Sequence, residues 1–178
     1  MRYAALLRGI NVGGNKKVAM AELRALLTGL GYADVTTYLQ SGNAVFSSPE
    51  QPAGAVGSAI EAAIAADLGT GVRVVIRTGA EIAAAIERCP LPGAPQNPSR
   101  FFVVFLSAEP DPALAREIQQ QSFGPDQIWV RGSEAFLWCP NGAAETKLTN
   151  NLIEKRLGVT ATSRNWNTVN KLASLAAP

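Results

Sequence analysis

Histidine is absent from this chain, and cysteine occurs only twice, at Cys89 and Cys139. The first absence removes the commonest general base, every Ser-His or Cys-His nucleophile pair and the usual zinc sites. The cysteines stand alone, without CxxC or metal-ligand spacing, which points to a reduced, cytoplasmic setting. No apolar run is long enough to span a bilayer, and the amino-terminal run is broken at Arg8 without a signal-peptide layout, so no membrane association is expected. Acids are scarce where the polar loops are richest: only Glu22 and Glu145 lie near them. Catalysis would have to rest on a carboxylate, lysine, tyrosine or a cysteine activated without histidine, and is disfavoured.

The chain has 178 residues, 47% of them hydrophobic, which is ample for one compact domain or two small subdomains. Its formal net charge is +2, so any affinity for polyanions must come from local clusters. One such cluster is Arg8-Gly-Ile-Asn-Val-Gly-Gly-Asn-Lys-Lys17, with three cations, three glycines and no acid. Gly9, Gly13 and Gly14 open left-handed backbone conformations and leave N–H groups uncovered, and the helix start that follows adds free donors for an anion. The plainer alternative is a long βα connection with solvated cations. The stretch is neither a Walker A loop, since Asn15 and Lys16 hold the Lys and Ser/Thr places, nor a dinucleotide fingerprint.

Periodicity sets out the elements in order. Tyr3–Leu7 reads as a strand buried on both faces. Met20, Leu23, Leu26, Leu27 and Leu30 fall on one face of a helix closed by Gly31. Val35–Leu39 and Ala44–Ser47 read as a hairpin, Ala53–Leu68 as a helix and Val72–Ile76 as a strand. Thr78 and Glu81 have the spacing of a capping box for a third helix, with Ile82 and Ile86 inward. Pro90, Pro92, Pro95 and Pro98 then interrupt the chain. The second half repeats the order: a strand at Phe101–Leu106, a helix capped by Asp111-Pro112 with Leu114 and Ile118 inward, a hairpin of Gln127–Arg131 and Glu134–Trp138, a helix at Leu148–Leu157, a strand at Val159–Ser163, and a last helix capped by Asn165. The expected fold is α+β, two ferredoxin-like βαββαβ units arising by internal duplication, each with an appended helix. The expected boundaries are 1–89, a proline-rich linker at 90–99, and 100–178. A single mixed sheet is the competing architecture.

Several of these stretches resemble one family. Ala5 to Lys16, Thr37-Tyr-Leu-Gln-Ser-Gly-Asn-Ala-Val-Phe46, Leu137-Trp-Cys-Pro-Asn-Gly142, Lys147-Leu-Thr-Asn150 and Thr162-Ser-Arg-Asn-Trp-Asn-Thr168 resemble the domain-of-unknown-function family numbered 1697. The resemblance runs from Leu6 to the last helix and implies two related α+β halves. It implies no activity and carries no catalytic residues.

Topology gathers the polar residues into two candidate clusters. In a ferredoxin-like unit the first βα loop and the first hairpin emerge at one end of the sheet. Arg8, Asn11, Gly13, Gly14, Asn15, Lys16 and Lys17 then lie near Gln40, Ser41 and Asn43, a set suited to phosphate oxygens and base edges. The alternative is that the amides satisfy turn backbone. In the second half, Lys147, Thr149, Asn150, Arg164, Asn165, Asn167 and Lys171 surround Trp166, the composition of a base-stacking site. Here packing is the preferred reading of Trp166, because most tryptophans are largely buried. Trp129 and Phe136 are read as core. Arg131 and Glu134 are expected to pair across their turn, and Glu154 to Arg156 to form a solvated helix face.

These readings converge on a cytoplasmic, non-catalytic binding protein for a phosphate-bearing ligand, either single-stranded nucleic acid or a nucleotide, with no cofactor and no metal. A metal-assisted phosphotransferase or nucleotide hydrolase is one rival, and a protein-interaction module is another.

Overall fold

In a computed structural model that describes residues 1–91 and 96–177, the chain forms eight strands and six helices. Two compact units divide it: Met1–Ile82 with the chain from Leu172, and Ala83–Lys171. This division falls inside two helices and not at 90–99, and residues 92–95 of that expected linker lie outside the described ones.

The first unit contains a four-stranded antiparallel sheet in the order β2-β3-β1-β4. Its strands are β1 (Arg2–Leu7), β2 (Ala33–Tyr38), β3 (Asn43–Ser47) and β4 (Val74–Thr78). Period-two alternation sends Tyr3, Ala5, Leu7, Ala44, Phe46 and Ile76 to one face. There they meet Leu23, Leu26 and Leu27 of α1 (Met20–Gly29) and Val56, Ile60 and Ile64 of α2 (Ala53–Leu68). Each such aliphatic contributes roughly 1.5–3 kcal/mol on burial. Tyr32 stacks on Phe46 at a centroid distance of 4.4 Å. The opposite face is buried too, and it carries the polar Asn43 and Arg77 beside Ala4, Leu6, Val45 and Val75.

The second unit has the sheet order β6-β7-β5-β8. Here β5 (Phe101–Leu106), β6 (Gln127–Arg131), β7 (Glu134–Trp138) and β8 (Ala161–Asn165) pair, and α4 (Pro112–Gln120) and α5 (Asn150–Leu157) supply Ile118, Ile153 and Leu157 to Val104, Leu106, Ala135, Leu137 and Ala161. Phe101, Val103, Phe105, Phe136, Glu134, Thr162 and Arg164 are buried at the alternate positions. Two helices cross the division between units: α3 (Gly79–Glu87) and α6 (Trp166–Leu175).

Local chemistry sets the ends of these elements. The Thr78 hydroxyl accepts from the Glu81 N–H at 3.2 Å, and the Glu81 carboxylate accepts from the Thr78 N–H at 2.7 Å, closing a reciprocal capping box. Asp111 accepts from the Ala113 N–H ahead of Pro112. Thr149 caps α5, so that helix starts at Asn150 and not at Leu148.

Other expectations need correction. β4 and β8 each begin two residues later than their β-branched runs predicted, because pairing with the central strand, Leu7↔Val74 and Leu106↔Ala161, sets the start. Leu30 is 38% exposed at the carboxyl cap of α1, and Leu114 is 37% exposed on α4. Arg131 and Glu134 are opposed in register, yet Glu134 is only 1% exposed and its carboxylate is paired with Arg88, beyond the last turn of α3. Alternation explains this, since it turns Glu134 to the buried face, where a charge needs a partner. Glu154 accepts from the Ala161 N–H at 2.9 Å and so ties α5 to β8.

Gly42 has φ +88°, and an added Cβ would lie 2.6 Å from Ile10 Cδ1 and 2.9 Å from Leu7 Cβ. Gly42→Ala therefore combines backbone strain with overpacking and is expected to cost about 2–4 kcal/mol in urea denaturation. Gly13→Ala, with a similar φ of +61° but open space around it, is expected to cost about half as much or less.

Candidate functional site

The amino-terminal cluster is assembled by hydrogen bonds that run between two loops. The Leu7 N–H donates to Gly42 O at 2.9 Å, holding the end of β1 against the β2–β3 turn. Asn11 then makes three bonds with its one side chain: Nδ2 donates to Val18 O at 2.9 Å and to Gln40 O at 2.7 Å, and Oδ1 accepts from the Val18 N–H at 2.9 Å. This closes the loop on itself and fastens it to the neighbouring turn. Inside the clamp the chain folds as a tight hairpin, with Asn11 N–H to Lys16 O and Asn15 N–H to Val12 O both at 3.2 Å. Such a reversal needs left-handed backbone, and Gly13 and Gly14 provide it together with Asn11 at φ 56° and Lys16 at φ 47°.

The expected juxtaposition of Arg8–Lys17 with Gln40–Asn43 is thus present in the geometry. Within it the residues divide by role. Asn43 is fully buried, and its Nδ2 donates to Tyr38 O at 2.7 Å and to Ser41 Oγ at 3.2 Å, so it braces the turn from inside. Asn11 acts on backbone groups in the same way. Gly13, Gly14, Asn15, Lys16, Lys17, Gln40 and Ser41 are exposed, and Arg8 is half-buried. Among the described residues no acid is paired with Lys16 or Lys17. The first turn of α1 has no side-chain cap, and Glu22 is its one acid.

Sequence reasoning missed Arg73. The Arg8 N–H donates to Arg73 O at 2.9 Å, which brings a further cation to the root of the loop. The antiparallel pairing of β1 with β4 is the signal that would have found it, since it sets the start of β4 beside the end of β1. Arg73 is partly answered by Glu61 at 3.3 Å. Sequence reasoning also missed the exposure of Val12 (68%) and Leu39 (51%), each one residue from the Asn11–Gln40 bond.

The second cluster is built differently. Trp166 is 7% exposed and packs edge-on against Phe101 at 5.3 Å, so it is a packing residue and not an open stacking platform. Asn165 Oδ1 accepts from the Thr168 N–H at 3.0 Å and caps α6. Asn150 Oδ1 accepts from the Ser163 hydroxyl. Arg164 is also 7% exposed and donates to Thr162 Oγ1 at 2.7 Å and Ser163 O at 2.8 Å. Burial lowers its guanidinium to about 10, which leaves it charged at neutral pH. Lys147, Asn167 and Lys171 are exposed. Cys139 is buried, and burial pushes its thiol up, away from thiolate chemistry.

Among the described residues no group of three or more His, Cys, Asp or Glu could hold a metal ion, and no helix is long and apolar enough to cross a membrane.

A model of a protein family of unknown function, DUF1697, matches residues 1–136. The chain belongs to that family. The matched stretch contains the whole amino-terminal cluster of this DUF1697 protein and ends before Lys147. Among solved structures, a conserved bacterial protein from Streptococcus pneumoniae is similar over 98% of both chains, with a TM-score of 0.77 and 26% identity. No curated protein matches the chain.

Asn11→Ala removes all three side-chain bonds of the clamp and puts alanine, which tolerates left-handed backbone less well than asparagine, at φ 56°. It is expected to cost about 2–3 kcal/mol in chemical denaturation. Asn11→Gly loses the same bonds but suits the left-handed backbone, so its cost is expected to be smaller.

Proposed function

We propose that this protein holds a nucleic acid by its phosphates on the paired amino-terminal loops. One observation carries the reading: Asn11 fixes a glycine hairpin that carries Lys16 and Lys17, unpaired with acids, against the turn that carries Gln40 and Ser41. Fixed cations, exposed backbone N–H groups and neutral amides are the donors that phosphate oxygens accept from. Because residues 12–17 project as exposed chain, an extended polyanion fits them better than a mononucleotide that needs enclosure. Lys147, Asn167 and Lys171 are exposed as well, without Trp166 as a stacking base. A metal-assisted phosphotransferase would need a carboxylate at the loop, and Glu22 is the acid nearest to it in sequence.

The scaffold reading belongs with this one. Each half is taken as a copy of one ferredoxin-like unit, supported by the matching sheet orders. Registers match as well: Ala4↔Arg77 corresponds to Val103↔Arg164, and Leu6↔Asn43 to Phe105↔Glu134. Buried polar residues thus occur at the same sheet positions in both halves.

The test is a titration of the full chain with a fluorescent single-stranded oligonucleotide at several salt concentrations. Lys16→Ala/Lys17→Ala is expected to weaken binding and to lower the slope of log K against log salt by about 1.4, roughly 0.7 per lost phosphate contact. Binding that the double variant leaves unaltered, or no binding at low salt, contradicts the proposal.

A further inference from the structure

A second feature lies at the opposite end of the first sheet, where β1 begins and the paired loops are far along the strand. A hollow of about 420 Å³ opens there, lined by Arg2, Ser47, Thr78, Gly79, Ala80 and Ala176 among others. That volume is in the range of small-molecule sites. Its wall is set by close packing: a Cβ on Gly79 would come within 2.0 Å of Ala176 O, so α3 starts hard against the end of the chain.

Arg2 is the one charged side chain of the lining, which also includes Met1, whose terminal ammonium donates to Ser48 O at 2.8 Å. Three hydrogen bonds hold it in place, from Nη2 to Leu175 O at 2.9 Å and from Nη1 to Ser47 Oγ at 3.1 Å and Asp34 O at 3.4 Å. All three acceptors are neutral. A guanidinium has five N–H donors, so two remain without an acceptor among the described residues. No acid among the described residues forms an ion pair with Arg2, and Glu81 Oε2 accepts instead from the Thr78 N–H and hydroxyl. Most of the remaining lining is apolar, including Ala80 and Ala176.

We propose that this hollow binds a small monocarboxylate with a short apolar body, the carboxylate on Arg2 and the body against Ala80 and Ala176. The planar Arg2 guanidinium has free donors suited to one carboxylate, while the Met1 ammonium is engaged by Ser48 O at 2.8 Å. This site is independent of the loop reading.

Hexanoate is the probe, titrated into the full chain and followed by the amide resonances of Thr78, Gly79 and Ala80, with hexanol and hexylamine as controls. Saturable shifts with hexanoate, at least about tenfold tighter than with either control, are expected from a charge-assisted pair. Ala80 is exposed on α3, and Ala80→Leu should fill the hollow and abolish the shifts while the thermal midpoint stays near that of the parent. Arg2→Gln should weaken hexanoate about tenfold and leave hexanol unchanged. Lys16→Ala/Lys17→Ala should leave both unchanged. Hexanoate binding no better than hexanol, or persisting in Ala80→Leu, overturns the proposal.

Discussion

One asparagine side chain organises the amino-terminal site. Asn11 joins the loop after β1 to Val18 on its own far side and to Gln40 on the next turn, using both its donors and its acceptor. Without it, a glycine-rich stretch of this length would have to pay conformational entropy whenever it met a ligand. With it, the backbone that carries Lys16, Lys17 and Gln40 is tied into one arrangement. The strain at Lys16 and Leu39, both left-handed without being glycine, is held by the same framework.

The sheets below impose a second constraint. Both faces are buried along β1, β3, β5 and β7, yet each second face carries charged or amide side chains: Asn43 and Arg77 in one unit, Glu134 and Arg164 in the other. Burial of such groups is tolerated only with hydrogen-bond partners. Arg77 donates to Ile76 O at 2.9 Å, Arg164 to Ser163 O, and Glu134 pairs with Arg88. No buried side-chain nitrogen or oxygen among the described residues is left without a partner. These inner strands therefore stay buried on both sides with every buried polar side-chain atom among the described residues partnered.

Sequence reasoning reached what local chemistry determines. The ends of α2 at Ala53 and Leu68, the capping pair Thr78 and Glu81, the Asp111-Pro112 helix start and the hairpin of β6 and β7 are each written within a few residues. It fell short wherever the deciding partner is far along the chain. The starts of β4 and β8 depend on pairing with β1 and β5, and the partner of Glu134 is Arg88 and not the adjacent Arg131. The loop cluster was legible because its topology follows from strand order. The split between bracing residues, Asn11 and Asn43, and exposed ones, Lys16 and Lys17, was not, since composition does not reveal which way an amide points. Trp166 beside cations read two ways for the same reason, and burial against Phe101 decides it.

The central claim is that the two loops joined by Asn11 form a single surface for a phosphate backbone. A residue-resolved map of amide shifts on addition of a single-stranded oligonucleotide tests this most directly. The account predicts that Gly13, Gly14, Lys16, Lys17 and Ser41 shift together with one dissociation constant, while Asn165 and Trp166 stay still. Shifts centred on Asn165 and Trp166, or spread evenly over the surface with no concentration at the loops, would contradict it.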